Sequence, residues 1–312
     1  GNTIVGGRTG ASATYALSAG TASFQQGLIL GLQDYAQGTF TQTGGTVSVG
    51  TGVNISDTNY LKGNNTIGLV LAFNQTAANG TPAVTKGTYN LNGGTLLAND
   101  ITTGQGNGYL GGANAAPNTF TESGLTFTTT TGGTATFNWG AGTLQPFDNE
   151  LTVGVGVNVI LTAAGATLNT NDKDGVGRAV VFNTPITGAF GLTQSGNGVL
   201  VLNQAATYAG DTTVSSGTFR QGLANALPSG AGYGNLILNS GASKAGTFDL
   251  NGFNASLNGL SGDSSAAVAG QVVNNGSSAV VLTVGVNNAT STFNGVLRDN
   301  SNSGSGTLAL TK

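Results

Sequence analysis

Gly87-Thr88-Tyr89-Asn90-Leu91-Asn92-Gly93-Gly94-Thr95-Leu96 alternates in side-chain character with a period of two. Tyr89 and Leu91 fall on one face of an extended segment, and Thr88, Asn90 and Asn92 fall on the other. Gly93 and Gly94 then permit a turn that residues carrying a Cβ resist. Thr95-Leu96-Leu97 resumes as a second short strand. The stretch predicts a strand, a glycine corner and another strand.

The pattern occurs three more times. Ala13-Thr14-Tyr15-Ala16-Leu17-Ser18-Ala19-Gly20-Thr21 and Gly38-Thr39-Phe40-Thr41-Gln42-Thr43-Gly44-Gly45-Thr46-Val47 precede it, and Ala135-Thr136-Phe137-Asn138-Trp139-Gly140-Ala141-Gly142-Thr143-Leu144 follows. The aromatic residues Tyr15, Phe40, Tyr89 and Phe137 are separated by 25, 49 and 48 residues. The last two intervals are close to twice the first, which predicts a coil of about 24 residues repeated along a stacked architecture. Coils of this kind lie about 4.8 Å apart and bond to one another through their backbones. The expected fold is all-β, a parallel β-helix or β-solenoid with about 24 residues per coil. It runs as one continuous domain over residues 1–312, with a change of repeat type near 147. At matched repeat positions the four aromatic rings are expected to form an interior ladder rather than an exposed sugar-stacking stripe. Trp139, two residues after Phe137, shares its face.

Composition supports this reading. Gly makes up 54 of 312 residues without a collagen period, and 38% of residues are hydrophobic, enough to fill a core. Charged residues are 7%, so the outer face must be built from Thr, Ser, Asn and Gln, as a sheet allows. The nine Lys and Arg are scattered singly, which argues against a nucleic-acid partner. No apolar run is long enough for a membrane span. Cys and Met are absent, and a secretion signal is expected to have preceded Gly1.

After residue 147 the motif changes. Gly191-Leu192-Thr193-Gln194-Ser195-Gly196-Asn197-Gly198-Val199-Leu200-Val201-Leu202 is followed by Thr207-Tyr208-Ala209-Gly210-Asp211-Thr212-Thr213-Val214-Ser215-Ser216-Gly217-Thr218-Phe219. This stretch resembles the autotransporter-associated β-strand repeat, also called the passenger-associated transport repeat. Thr292-Phe293-Asn294-Gly295-Val296 and Gly306–Lys312 are similar to segments that follow that repeat. The resemblance implies a right-handed solenoid in an exported protein, extracellular or on the surface of a Gram-negative bacterium. It says little about function, because such repeats serve adhesins, matrix proteins and carriers of other domains alike.

Candidate chemistry is sparse. There is no His, which removes the commonest catalytic base and metal ligand. Asp148 with Glu150, and Asp172 with Asp174, are the closely spaced carboxylate pairs, short of what a sugar-cleaving cleft requires. No enzyme activity and no cofactor are expected. Asn171-Asp172-Lys173-Asp174-Gly175 has a partial calcium-loop pattern, with Asp172 and Asp174 as the candidate ligands. A plain polar turn accounts for it equally well, and on that reading replacing both by Asn leaves stability unchanged. Asn92, Asn203 and Asn251 stand at turn-like sites suited to buried amide ladders.

The expected role is an extracellular structural protein, the subunit of a surface fibre, filament or biofilm matrix. The alternative is an adhesin or glycan-binding passenger, with surface glycans as partners. Leu308, Leu310 and Lys312 end the sequence in a strand pattern that Gly1, Asn2, Thr3, Ile4 and Val5 continue. These residues are the expected contact of a head-to-tail homopolymer, since a heterologous contact leaves an open chain. Trimming of a longer chain at both ends is the other explanation of the same pattern. If the solenoid is continuous, limited proteolysis should release no stable fragment ending near residue 147; a separately folding half would overturn that expectation.

Overall fold

The computed structural model describes residues 3–7, 10–25, 27–32, 35–50, 68–75, 84–106, 134–238, 245–262, 269–301 and 305–312. Gly1 and Asn2 lie outside them. The chain forms two compact units, one comprising Gly1–Phe147 with Leu151–Val159 and the other Asp148–Glu150 with Ile160–Lys312. Among the described residues the structure is all strand and turn, apart from a single 3-10 turn at Val286–Asn288.

The first unit contains two sheets. One runs in the order Thr3–Val5, Leu28–Leu30, Leu69–Gln75, Asp100–Gly106, Leu151–Val153. In the other, Ser12–Leu17 and Thr21–Phe24 both pair with Gln37–Val49, which pairs with Lys86–Ala98, which in turn pairs with Thr134–Trp139 and Thr143–Pro146. These pairings are parallel, and like side chains lie over like: Tyr15 over Phe40, Phe40 over Tyr89, Tyr89 over Phe137. The rings of Phe40 and Tyr89 stack 4.9 Å apart and nearly coplanar at 4°, a separation set by the strand spacing. Phe40, Tyr89, Phe137 and Trp139 are fully buried.

Three expectations change. The 48- and 49-residue intervals each span one step, because Phe40 pairs directly with Tyr89, and Tyr89 with Phe137. The shared 24-residue coil therefore does not hold in this unit. Strand pairing fixes the step, and the chain between strands varies in length without disturbing it. Tyr15 stacks on Phe40 at 4.8 Å yet remains 41% exposed, because it forms the outer end of the ladder and only one face of its ring is covered. The glycine corner does not interrupt pairing: Gln37–Val49 and Lys86–Ala98 are each a single strand through it, with shifts in register at Thr43. Gly20, Gly45 and Gly94 all adopt positive φ, and a Cβ on Gly94 would lie 2.3 Å from the carbonyl oxygen of Gly45. Only glycine permits both the left-handed backbone and the close stacking.

The second unit has three sheets of parallel strands. The first runs Ala179–Phe182, Val199–Leu202, Gly217–Gln221, Gly246–Asp249, Gln271–Val273, Val296–Arg298. The second runs Thr167–Asn169, Leu192–Ser195, Thr212–Val214, Leu236–Leu238, Leu260–Gly262. The third runs Ala255–Leu257, Val280–Val284, Leu308–Thr311. Leu200, Phe219, Phe248 and Val272 form a continuous buried column, in which Phe219 and Phe248 stack at 5.5 Å. Here Gln194 and Thr218, 24 residues apart, are joined across neighbouring steps, close to the coil length read from the sequence. Parallel strands stacked in long sheets are the arrangement of a β-solenoid.

Truncating Phe40 removes a ring in contact with Tyr15, Phe24 and Tyr89. Phe40→Ala should cost about 3–5 kcal/mol in chemical unfolding, the usual range for a buried Phe. A loss below about 1 kcal/mol would show that the ladder is not a core element.

Candidate functional site

The Asn171–Gly175 segment is a hairpin tip. Asn171 and Gly177 form an antiparallel bridge, the Asp172 N–H donates to the Val176 carbonyl at 2.8 Å, and the Gly175 N–H donates to the Asp172 carbonyl at 3.0 Å. The Asp172 carboxylate is buried inside the turn. Its Oδ1 accepts the N–H groups of Asp174 and Val176, each at 2.9 Å, and its Oδ2 accepts Nε of Arg178 at 2.7 Å. Burial pushes its pKa upward, but the bonds from Val176, Arg178 and Asp174 outweigh that and hold it below the ordinary aspartate value. Asp174 points elsewhere and pairs with Lys173. The two candidate ligands are therefore not brought together: one organises the turn, and the other sits on its exposed rim. Among the described residues no three His, Cys, Asp or Glu side chains group as a metal site.

Asp249 repeats the device. Its carboxylate is buried, with Oδ2 accepting Nε of Arg220 at 3.0 Å and Oδ1 accepting the N–H groups of Asn251 and Asn275, each at 3.0 Å. The sequence pattern gave no hint of this pair, since Arg220 and Asp249 are 29 residues apart and meet only through strand register. The register supplies the missing signal: Arg220 stands directly opposite Asp249.

Buried amides hold the corners, but at positions other than those expected. Asn92 and Asn203 are exposed, and Asn251 is half-buried. Asn203 does donate to Asn183 at 2.8 Å, as a surface rung. The deeply buried amides are glutamines. Gln42 Nε2 donates to the Gly45 and Thr95 carbonyls at 3.1 and 3.0 Å, while its Oε1 accepts the Tyr89 hydroxyl at 2.7 Å. Gln221 donates to the Phe253 carbonyl and accepts the Ala226 N–H. Turn positions on the outside face water. A longer side chain on the inward face reaches corner carbonyls that would otherwise be buried without donors. Burial raises the Tyr89 hydroxyl well above the usual phenol value, so it stays a neutral donor.

The strand residues expected at a subunit contact lie as follows. Thr3–Val5 pairs with Leu28–Leu30, with Thr3 exposed, Ile4 42% exposed and Val5 buried. Leu308–Thr311 pairs with Val280–Val284; Leu308 is half-buried, and Leu310 and Lys312 are exposed.

Because Asp172 ties four turn groups together, Asp172→Asn should lower the melting temperature at neutral pH, contrary to the unchanged stability expected of a plain turn. A carboxylate held below its ordinary value contributes fully above about pH 4, and that contribution is lost as pH falls through the lowered value. The parent should therefore show an acid loss that the variant lacks, and calcium should shift neither melting temperature. A calcium-dependent rise in the parent, absent in the variant, would establish a metal loop instead.

Residues 192–220 show how one coil is put together. Leu192–Ser195 and Val199–Leu202 are two sides of a coil, and Thr212–Val214 and Gly217–Gln221 lie over them in register. A Cβ on Gly198 would lie 1.9 Å from the Arg178 carbonyl oxygen, and Gly217 has a φ of 76°. Both corners thus demand glycine. Tyr208 is fully buried between the two layers and bonds to Thr212 through its hydroxyl at 2.5 Å; burial raises its pKa strongly despite that bond. This same segment, residues 192–220, matches the family model described as the passenger-associated-transport-repeat. No curated protein and no solved structure matches the chain. The chain therefore carries, at residues 192–220, a repeat of the passenger-associated transport family found in autotransporter passenger-like proteins.

Proposed function

We propose that this chain is a non-enzymatic structural part of a protein exported to the surface of a Gram-negative bacterium. On this reading it is a right-handed solenoid that serves as the subunit of a fibre, filament or matrix and assembles head-to-tail. The observation that carries the proposal is what its buried polar groups do. Asp172, Asp249, Gln42 and Gln221 spend their hydrogen bonds on the chain's own backbone and on Arg178, Arg220 and Tyr89. These are the bonds of a scaffold: they fix corners and leave the buried carboxylates paired. The passenger-associated repeat supports export. Head-to-tail growth is supported by Thr3–Val5 and Leu308–Thr311, parallel strands carrying the exposed Ile4 and Leu310, which another chain could extend.

A glycan-binding passenger is the second reading. Phe190 and Tyr233, each 37% exposed, favour it, since open aromatic faces suit sugar rings. Electron microscopy of the purified chain should show ordered filaments. Isolated particles at all concentrations would overturn the fibre reading, and glycan-array binding lost in Phe190→Ala and Tyr233→Ala would establish the second.

A further inference from the structure

Six Asn-Gly pairs lie among the described residues: Asn92-Gly93, Asn197-Gly198, Asn251-Gly252, Asn258-Gly259, Asn275-Gly276 and Asn294-Gly295. Asn-Gly is the pair most open to self-modification, because a following residue without a Cβ lets its amide nitrogen approach the asparagine side chain. The fold restrains five of them. The Gly198 N–H is held by Thr170 Oγ1 at 2.9 Å, and the Gly252 N–H by Asn274 Oδ1 at 2.8 Å. The Asn258 side chain is buried, accepts the Gly230 N–H and donates to the Gly230 and Tyr233 carbonyls. Asn275 donates to Asp249 and accepts from Ser301, while the Gly276 N–H is held by Asn274. Asn92 is exposed, but it sits inside the hydrogen-bonded strand Lys86–Ala98, whose extended backbone is fixed on both sides.

Asn294-Gly295 is different. Asn294 is exposed, neither residue belongs to a strand, and among the described residues neither side chain nor amide of the pair makes a hydrogen bond. Glycine is also compulsory there: a Cβ on Gly295 would lie 2.2 Å from the Gly270 carbonyl oxygen. The close approach of two backbones that builds this coil therefore preserves a reactive pair.

We propose that Asn294 is a site of spontaneous deamidation in the folded protein. The Gly295 amide nitrogen gives up its proton to solvent base and bonds to Asn294 Cγ. The Cγ–Nδ2 bond breaks, and the amide leaves as ammonia with a proton from solvent. Water then opens the cyclic imide at either carbonyl to give aspartate or isoaspartate, with no redox change. The isoaspartate product routes the backbone through an extra methylene immediately before Val296–Arg298, the strand that pairs with Gln271–Val273. The modification thus adds one negative charge to a chain of net charge −3 and loosens the start of that strand.

The test is ageing of the purified chain in mildly alkaline buffer at physiological temperature, followed by peptide mapping and isoelectric focusing. The expected result is one acidic species per chain, with aspartate and isoaspartate mapped to Asn294 and absent from Asn294→Gln. Ageing the same chain in urea should bring all six pairs to comparable extents of modification, showing that the fold makes the selection. An unmodified Asn294 in folded chain whose urea control reacts would overturn the proposal. So would equal modification of Asn197, Asn251, Asn258 or Asn275 in the folded state.

Discussion

Parallel in-register stacking is the constraint on which the rest depends. Once Thr88 stands over Thr39 and Tyr89 over Phe40, every inward position must accept a neighbour of its own kind at the strand spacing. Rings satisfy this by stacking, aliphatic groups by forming columns, and amides and carboxylates by bonding to backbone groups at the corners. The same constraint explains the composition. A surface of Thr, Ser and Asn can repeat indefinitely at this spacing, whereas a column of like charges would repel itself. Where a charge is buried it is therefore matched, as Asp249 is by Arg220 in the adjacent strand.

Much of this was legible in the sequence. The period-two alternation in Thr88–Asn92 determined which residues face inward, and the repeated Gly-Gly pairs marked corners. What periodicity could not supply was the step length. Intervals of 48 and 49 residues look like doubled coils only if each coil is assumed to be equally long; nothing in the spacing itself distinguishes two short coils from one coil with a long connection. Tyr15 shows a related limit. Its pattern matches Phe40, but burial depends on what lies on each side of the ring, which is a property of the stack and not of the residue.

The candidate site was less legible, for a physical reason. Asp172 and Asp174 are adjacent in sequence and were read together, yet one side chain turns inward to collect N–H groups while the other meets solvent and Lys173. A calcium loop and an aspartate-organised turn draw on the same residue types, because both need oxygen acceptors beside a glycine. The deciding feature is Arg178, six residues from Asp172, which comes alongside only after the hairpin closes. The glutamines were missed because Gln42, Gln194 and Gln221 look like surface residues by composition; their burial follows from falling on the inward phase of strands next to a corner.

The freedom of the connections has an evolutionary consequence. Neighbouring strands keep register whether the chain between them is about as long as from Gln194 to Thr218 or twice that, as from Thr41 to Asn90. Insertions and deletions between strands can therefore accumulate without disturbing the hydrogen-bonded columns that give stability. Selection can reshape the periphery of such a protein while its spine is conserved, so that two descendants may share every inward column and yet present unrelated exteriors to their surroundings.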